Sequence, residues 1–216
     1  THNHVVLRSY SLASSPGEKE ISLVLRMLPE GTGTQFFQYL QIGDFIRFTG
    51  PMGFFVNDLM HEGDVVYAAT GTGFAAIYPM LKETLTRSEQ GRVLLFWGVR
   101  EQADFFYQEQ LQQLASHFSR LENGLYLSRP PLDFSGNSGR IIQPILQQLP
   151  TLQSPVFYLC GNGQMIRELK EELQIYLELD NEKQFTSKMK GFIIPFSSIN
   201  SSQSRIPELG EQFEKQ

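Results

Sequence analysis

Thr70-Gly71-Thr72-Gly73-Phe74-Ala75-Ala76 follows the apolar run Val65-Val66-Tyr67-Ala68-Ala69 and precedes a stretch with helical spacing. A strand that breaks into glycines and restarts as a helix leaves backbone N–H groups pointing outward at the helix N-terminus. Without Cβ atoms in the way, an anionic pyrophosphate can approach those groups closely. The chemistry on offer is therefore anion binding. Gly71-x-Gly73-x-x-Ala76 fits the loose dinucleotide fingerprint, and a generic glycine-rich turn satisfies the same spacing. Pro79 falls in the opening turns of the helix, where a missing N–H costs little.

Few other residues suggest reactivity by type and spacing. His2, His4, His61 and His117 show no metal-ligand pattern, and Cys160 has no second cysteine with which to build a zinc or iron–sulfur site. No Ser/His/Asp or Cys/His constellation is visible. Glu168, Lys170, Glu171 and Glu172 read as the solvated face of a helix.

Composition narrows the classes further. The 216 residues suffice for one large domain or two modest ones, and an apolar fraction of 41% with 17 Phe allows a sizeable core. With 18 basic against 23 acidic residues, a net charge of −5 and no basic cluster, nucleic acid and anionic membranes are poor partners. A single cysteine allows no internal disulfide, which favours a reducing compartment. No apolar run approaches the roughly 20 residues of a membrane span. A cytoplasmic protein without a membrane span is the expectation.

The elements that must position the glycine turn fall into two styles. Up to about Asp58 the chain reads as β structure. Val5–Tyr10 and Ile21–Met27 have strand patterning, with Ile21, Leu23, Leu25 and Met27 on one face, and Ser14–Glu18 is turn chemistry between them. Gly31-Thr32-Gly33-Thr34 precedes a short aromatic segment to Leu40, and Gly43-Asp44 turns into Phe45–Phe48. After His61-Glu62-Gly63-Asp64 the period changes. Val65–Ala69, Val93–Trp97, Gly124–Leu127 and Val156–Cys160 are continuous apolar runs, as expected of parallel strands covered on both faces. Helical stripes alternate with them: Ile77, Met80, Leu81 and Leu85; Leu111, Leu114, Ala115 and Phe118; Ile141, Ile142, Ile145, Leu146 and Leu149; Ile166, Leu169, Leu173, Tyr176 and Leu177. This alternation predicts a doubly wound α/β domain. Beyond Asp180 the chain is polar and Ser-rich apart from an apolar island at Phe192-Ile193-Ile194, and reads as an irregular tail.

Five segments occur in a fixed order: Arg8-Ser9-Tyr10-Ser11, Gly50-Pro51-Met52-Gly53-Phe54-Phe55, Thr70 to Ala76, Gly98-Val99-Arg100 and Leu159-Cys160-Gly161-Asn162-Gly163. In this order and at these intervals the chain resembles the ferredoxin–NADP(+) reductase superfamily, from about Val5 to Leu177. Each motif alone is loose, and five in register are specific. The resemblance implies an antiparallel β-barrel flavin domain, here partial, followed by an α/β doubly wound parallel-sheet nucleotide domain. The expected boundaries are 1–60 for the flavin segment, 61–180 for the nucleotide domain and 181–216 for the tail.

The resemblance also assigns roles. Arg8 would pair with a flavin phosphate, Tyr10 would stack on the isoalloxazine or bond the ribityl chain, and Ser11 would bond the ring near N5. A guanidinium suits phosphate and an aromatic face suits stacking, although Arg8 and Tyr10 could simply alternate along a barrel strand. Gly33 and Thr34, within the family's Gly-x-x-Ser/Thr pattern, would cradle the flavin pyrophosphate at a helix start, and a plain hairpin turn is the alternative. Thr70, Gly71, Thr72 and Gly73 would bind the pyrophosphate of the nicotinamide nucleotide, with Ala76 where the family usually has Pro. Ser128-Arg129 resembles the pair that holds the 2′-phosphate of NADP, whereas an ordinary surface arginine is the competing reading. Trp97–Arg100 lacks the acid that a NAD site carries about twenty residues after the glycines, and Arg100 occurs with either nucleotide. Cys160, followed by Gly161, would sit beside the nicotinamide and position it, or be a buried structural thiol.

The implied activity is that of an FAD-dependent NAD(P)H oxidoreductase, with FMN possible in place of FAD and NADPH preferred over NADH. Its acceptor would be an electron-transfer protein or a small molecule. The family's barrel normally begins well before the Arg-x-Tyr-Ser segment, so the expectation is a fragment of a longer reductase, or an association that covers the strand edge. A non-catalytic module that keeps the nucleotide fold without the flavin is the alternative. Glu211-Gln212-Phe213 could be a remnant of the family's closing Glu-x-Phe segment.

Overall fold

A computed structural model of the protein describes residues 7–87, 90–179 and 189–193. The expected strand start at Val5, His2 and His4, Ser197–Ser202 and Glu211–Phe213 lie outside these residues. Six parallel-paired strands form one sheet in the order β4-β3-β2-β1-β5-β6. They are β1 (Val65–Thr70), β2 (Val93–Val99), β3 (Leu121–Leu127), β4 (Asn137–Ser138), β5 (Val156–Gly161) and β6 (Met189–Ile193). The four expected apolar runs are β1, β2, β3 and β5. β3 begins earlier than the apolar pattern suggests, at Leu121, because Leu121 pairs in register with Val93 and is buried. The island Phe192-Ile193, assigned by its sequence to an irregular tail, lies in β6 beside β5. A five-residue strand within a polar tail is set by its neighbour rather than by its own pattern.

The helices are α1 (Thr32–Tyr39), α2 (Phe74–Arg87), α3 (Gln108–His117), α4 (Ile142–Gln148) and α5 (Gly163–Leu179). Two cores flank the sheet. On one face α2 and α3 pack Phe74, Ile77, Leu81, Leu85 and Leu111 against Tyr67, Leu95, Trp97 and Tyr158. On the other, α4 and α5 pack Ile142, Ile145, Ile166, Leu169 and Leu173 against Val66, Leu94, Phe157 and Leu159. Helices on both faces explain why β1 and β5 have no polar face to show. The chain runs outward from β1 through β2 and β3, then returns to place β5 on the other side of β1. That reversal is a topological switch point, where a crevice opens at the carboxyl ends of β1 and β5.

Residues 7–60 differ from expectation. Ile21–Met27 and Phe45–Phe48 are not strands; a single antiparallel bridge joins Leu12 to Leu23, and α1 follows the Gly31 turn. A strand persists only where a neighbour takes its N–H and C=O groups, and few of these segments find one. Large apolar side chains in residues 7–60 remain open to solvent, Phe45 at 99% and Phe54 at 96% exposure. The turn at Ser14–Glu18 is present, closed by the Glu18 N–H donating to the Ser15 carbonyl at 3.2 Å.

Residues 55–58 tie this segment to the sheet. Tyr67 and Tyr158, register partners on β1 and β5, stack at 5.2 Å between centroids. The Tyr67 hydroxyl donates to Asn57 Oδ1 at 2.8 Å, and the Tyr158 hydroxyl accepts the Asp58 N–H at 2.6 Å. Burial holds the Tyr67 phenol far above its ordinary pKa, so it stays a donor. Asn57 also donates to the Met80 carbonyl at 2.9 Å, and Lys82 pairs with Glu18 at 2.6 Å. Among the described residues no helix is long and apolar enough to cross a membrane.

The amino ends of the strands are held by Asp64, which is 4% exposed. Its two carboxylate oxygens accept the N–H groups of Arg92 and Gln153, each at 2.8 Å, linking the approaches to β1, β2 and β5. Asp64→Ala leaves both donors without an acceptor and should cost about 2–4 kcal/mol of stability. The measurement is the urea midpoint at unchanged slope; a midpoint equal to that of the native protein would refute this bracing role.

Candidate functional site

Thr70 ends β1, and Gly71–Gly73 form one 3-10 turn before α2 begins at Phe74. The glycines differ in what surrounds them. Gly71 has φ +55°, a left-handed conformation that side chains disfavour, and a Cβ there would meet nothing within 4 Å. It faces open space. Gly73 is buried, and a Cβ would lie 2.4 Å from the Cys160 carbonyl oxygen. Its missing side chain makes room for β5. Gly161, at φ +137°, complements this from the other side, because its Cβ would fall 2.2 Å from Thr70 Oγ1. The carboxyl ends of β1 and β5 thus meet backbone to backbone.

Thr70 and Asn162 lock the junction. Thr70 Oγ1 accepts the Asn162 N–H at 2.7 Å. Asn162 Oδ1 accepts the Gln164 N–H at 2.8 Å, capping α5, a role for which Asn is among the preferred residues. Both α2 and α5 therefore start at the crevice, each with the positive end of its dipole there. Trp97, two residues before the end of β2, sends its indole N–H to the Gly71 carbonyl at 3.0 Å. Sequence reasoning passed over this contact. The available signal was a lone tryptophan in an apolar strand, whose N–H must find an acceptor when buried.

Beyond β2 and β3 the backbone is knitted across: the Ser128 N–H donates to the Val99 carbonyl at 2.9 Å, and the Arg129 N–H to the Arg100 carbonyl at 3.1 Å. Arg100 and Arg129 are both exposed and, among the described residues, neither guanidinium has a partner. The Ser128 hydroxyl donates to the Val99 carbonyl at 3.2 Å, so it must turn to reach an anion. Glu101, just past β2, donates its N–H to Asp104 Oδ2 at 3.3 Å, and its carbonyl accepts the Asp104 N–H at 3.0 Å. Cys160 is fully buried, and burial pushes its thiol up to about 12. A thiol in that state is no nucleophile at neutral pH.

The residues expected at a flavin are partly assembled. Tyr10 packs edge-on against Phe37 at 5.2 Å, with its hydroxyl against Gly33, where a Cβ would come within 2.1 Å of it. Gly33 and Thr34 lie in the first turn of α1, and Thr34 Oγ1 accepts the Leu28 N–H at 2.7 Å. Ser11 is half-buried. Arg8 is exposed, and its guanidinium donates to the Leu7 carbonyl at 2.9 Å.

Comparisons with known proteins bear on both regions. Residues 1–56 match the oxidoreductase FAD-binding domain family, and residues 68–171 match the oxidoreductase NAD-binding domain family. The chain is 29% identical over 164 residues to the ferredoxin–NAD(P)(+) reductase component of the naphthalene 1,2-dioxygenase/salicylate 5-hydroxylase systems of a Ralstonia species, a match covering 76% of this chain and 50% of that protein. It is 27% identical to ferredoxin–NADP reductase B of Sorangium cellulosum, covering 77% of this chain and 71% of that one. Several curated relatives it matches are thus spanned over about half their length. Among solved structures, an Amycolatopsis cytochrome P450 reductase superposes with a TM-score of 0.71 at 24% identity, covering 85% of this chain and 56% of that one.

The two glycines should respond differently to substitution. Gly73→Ala forces a methyl into the β5 backbone and should lower stability by about 3 kcal/mol or more. Gly71→Ala meets no atom, and should cost only the roughly 1–2 kcal/mol of a left-handed side chain. Thermal unfolding of the two variants decides it, and equal losses would refute the asymmetry.

Proposed function

Because the chain belongs to the ferredoxin–NADP(+) reductase superfamily, we propose that it serves a flavin-dependent NAD(P)H oxidoreductase that passes electrons to an acceptor. The observation that carries this reading is the crevice at the switch point. There a positive-φ glycine faces open space, two helix N-termini converge, and two arginines with no partner among the described residues stand at the next strand ends. Such a site fits a dinucleotide: N–H groups for its pyrophosphate, guanidinium groups for a further phosphate. The flavin, when bound, supplies the chemistry by taking a hydride at N5 from nicotinamide C4 and releasing electrons singly or paired.

The chain's own residues bind and orient. Thr70–Gly73 receive the nucleotide pyrophosphate on α2. Arg8, Tyr10, Ser11, Gly33 and Thr34 form the flavin side, within residues 1–60 as the flavin segment and 61–180 as the nucleotide domain. Tyr10 resting on Gly33 supports this grouping, because it gathers an aromatic face and a helix start in one place. Cys160 and Gly161 shape the floor by packing, with Gly161 leaving room for Thr70. The 2′-phosphate of NADPH falls to Arg129 with Ser128. The acceptor is an electron-transfer protein or a small molecule, and the single cysteine favours a cytoplasmic setting.

One observation favours the second reading, a nucleotide module without flavin: residues 7–60 make one antiparallel bridge and leave large apolar side chains exposed. Anaerobic mixing with NADPH separates the two. Bleaching of bound flavin's visible absorbance supports the oxidoreductase, and a colourless protein that takes up neither FAD nor FMN supports the module.

Arg129→Ala tests the nucleotide preference. It should raise the KM for NADPH by about one to two orders of magnitude, as for a charged hydrogen bond worth roughly 1.5–3 kcal/mol, and leave NADH use unchanged. Equal weakening of both nucleotides would make Arg129 a surface residue.

A further inference from the structure

We infer that Trp97 is a positioning residue for the dinucleotide: its indole N–H holds the Gly71 carbonyl inward, so that the N–H edge of the Gly71–Thr72 peptide faces the pyrophosphate. The inference deepens the proposed function and rests on a nicotinamide nucleotide occupying the turn.

The argument begins with the peptide itself. A trans peptide places its carbonyl and its N–H on opposite edges of one plane, so whatever fixes one edge aims the other. The Gly71 carbonyl oxygen has two lone pairs, and two donors reach it. One is the Phe74 N–H within the turn, and the other is Trp97 Nε1 at 3.0 Å. Glycine in a left-handed conformation, with open space around it, has little of its own to prevent that peptide from turning over. The turn's own Phe74 bond is one restraint, and the indole adds a second from outside the turn, fixed to a different strand.

Trp97 is built for such a restraint. It is fully buried. Its ring stacks on Phe74 at 4.0 Å between centroids and takes the edges of Phe105 at 4.9 Å and Phe106 at 5.0 Å. An indole clamped on three sides cannot swing, and it carries one donor and no acceptor. That donor is directed at the carbonyl of Gly71, the glycine that faces open space. A tryptophan serving only as filler would need an acceptor somewhere, but not at the glycine that faces the ligand.

The sequence holds a single tryptophan, which makes a near-isosteric test possible. Biosynthetic replacement by benzothienylalanine, which puts sulfur in place of N–H, alters Trp97 alone. Trp97→Phe is the genetic counterpart, and Ile145→Val, in the core on the other face of the sheet, is the control for lost packing. Two probes are titrated calorimetrically: NADP+, and adenosine 2′,5′-bisphosphate, which lacks the pyrophosphate bridge and nicotinamide. NAD+ and AMP serve as the second pair if the native protein favours nucleotides without the 2′-phosphate.

Loss of the N–H should weaken the dinucleotide about tenfold and leave the mononucleotide unchanged. Ile145→Val should lower the unfolding midpoint and leave both affinities unchanged. Trp97 replacements that weaken both probes alike, or neither, overturn the inference. A native protein that binds no dinucleotide overturns the proposed function instead, and the inference with it.

Discussion

Where β1 and β5 end, the two backbones come so close that neither glycine there could carry a side chain. Gly73 lies against the Cys160 carbonyl and Gly161 against Thr70, and each glycine makes room for the other strand. Most of the crevice follows from that approach. With the strand ends this close, the Thr70 hydroxyl reaches the Asn162 N–H, and Asn162 in turn starts α5 where α2 has already started. Two helix N-termini are thereby brought to one spot, and their dipoles make it electropositive without any charged residue. A methyl group on either glycine would separate the strands and, with them, the two helices.

The two rims of the sheet are built to opposite rules. At the amino rim the polar groups described above are paired: Asp64 accepts two backbone N–H groups, and Arg92 is paired with Glu122 at 2.8 Å. At the carboxyl rim Arg100 and Arg129 stand exposed without partners among the described residues, and Gly71 faces open space in a conformation most residues avoid. Stability is concentrated where nothing has to bind. Local rules are relaxed where a ligand would supply the missing partner, which is where departures from self-consistency are expected in a functional protein.

Much of the α/β half was legible because its signals are local. Continuous apolar runs such as Val65–Ala69 can only be strands covered on both faces, and the Ile77, Met80, Leu81, Leu85 stripe places one face of α2 on the sheet. Residues 7–60 were harder, since Ile21–Met27 has strand patterning but pairing depends on neighbours that patterning cannot supply. β6 escaped notice for the converse reason: β5 provides a neighbour for a segment with little patterning of its own. At the site, the glycine turn could be read from its spacing. The separate duties of Gly71 and Gly73 could not, because they depend on which way a missing side chain would point. The Trp97 contact joins residues 26 positions apart and has no sequence motif.

The burial of Cys160 has a practical corollary. It is the only sulfhydryl in the sequence, and no part of it reaches solvent. A thiol reagent can reach it only when β5 leaves the sheet, so the rate of alkylation counts openings of the central strands. The chain carries an internal clock for its own unfolding, one that a bound dinucleotide would slow in proportion to how tightly it closes the crevice above.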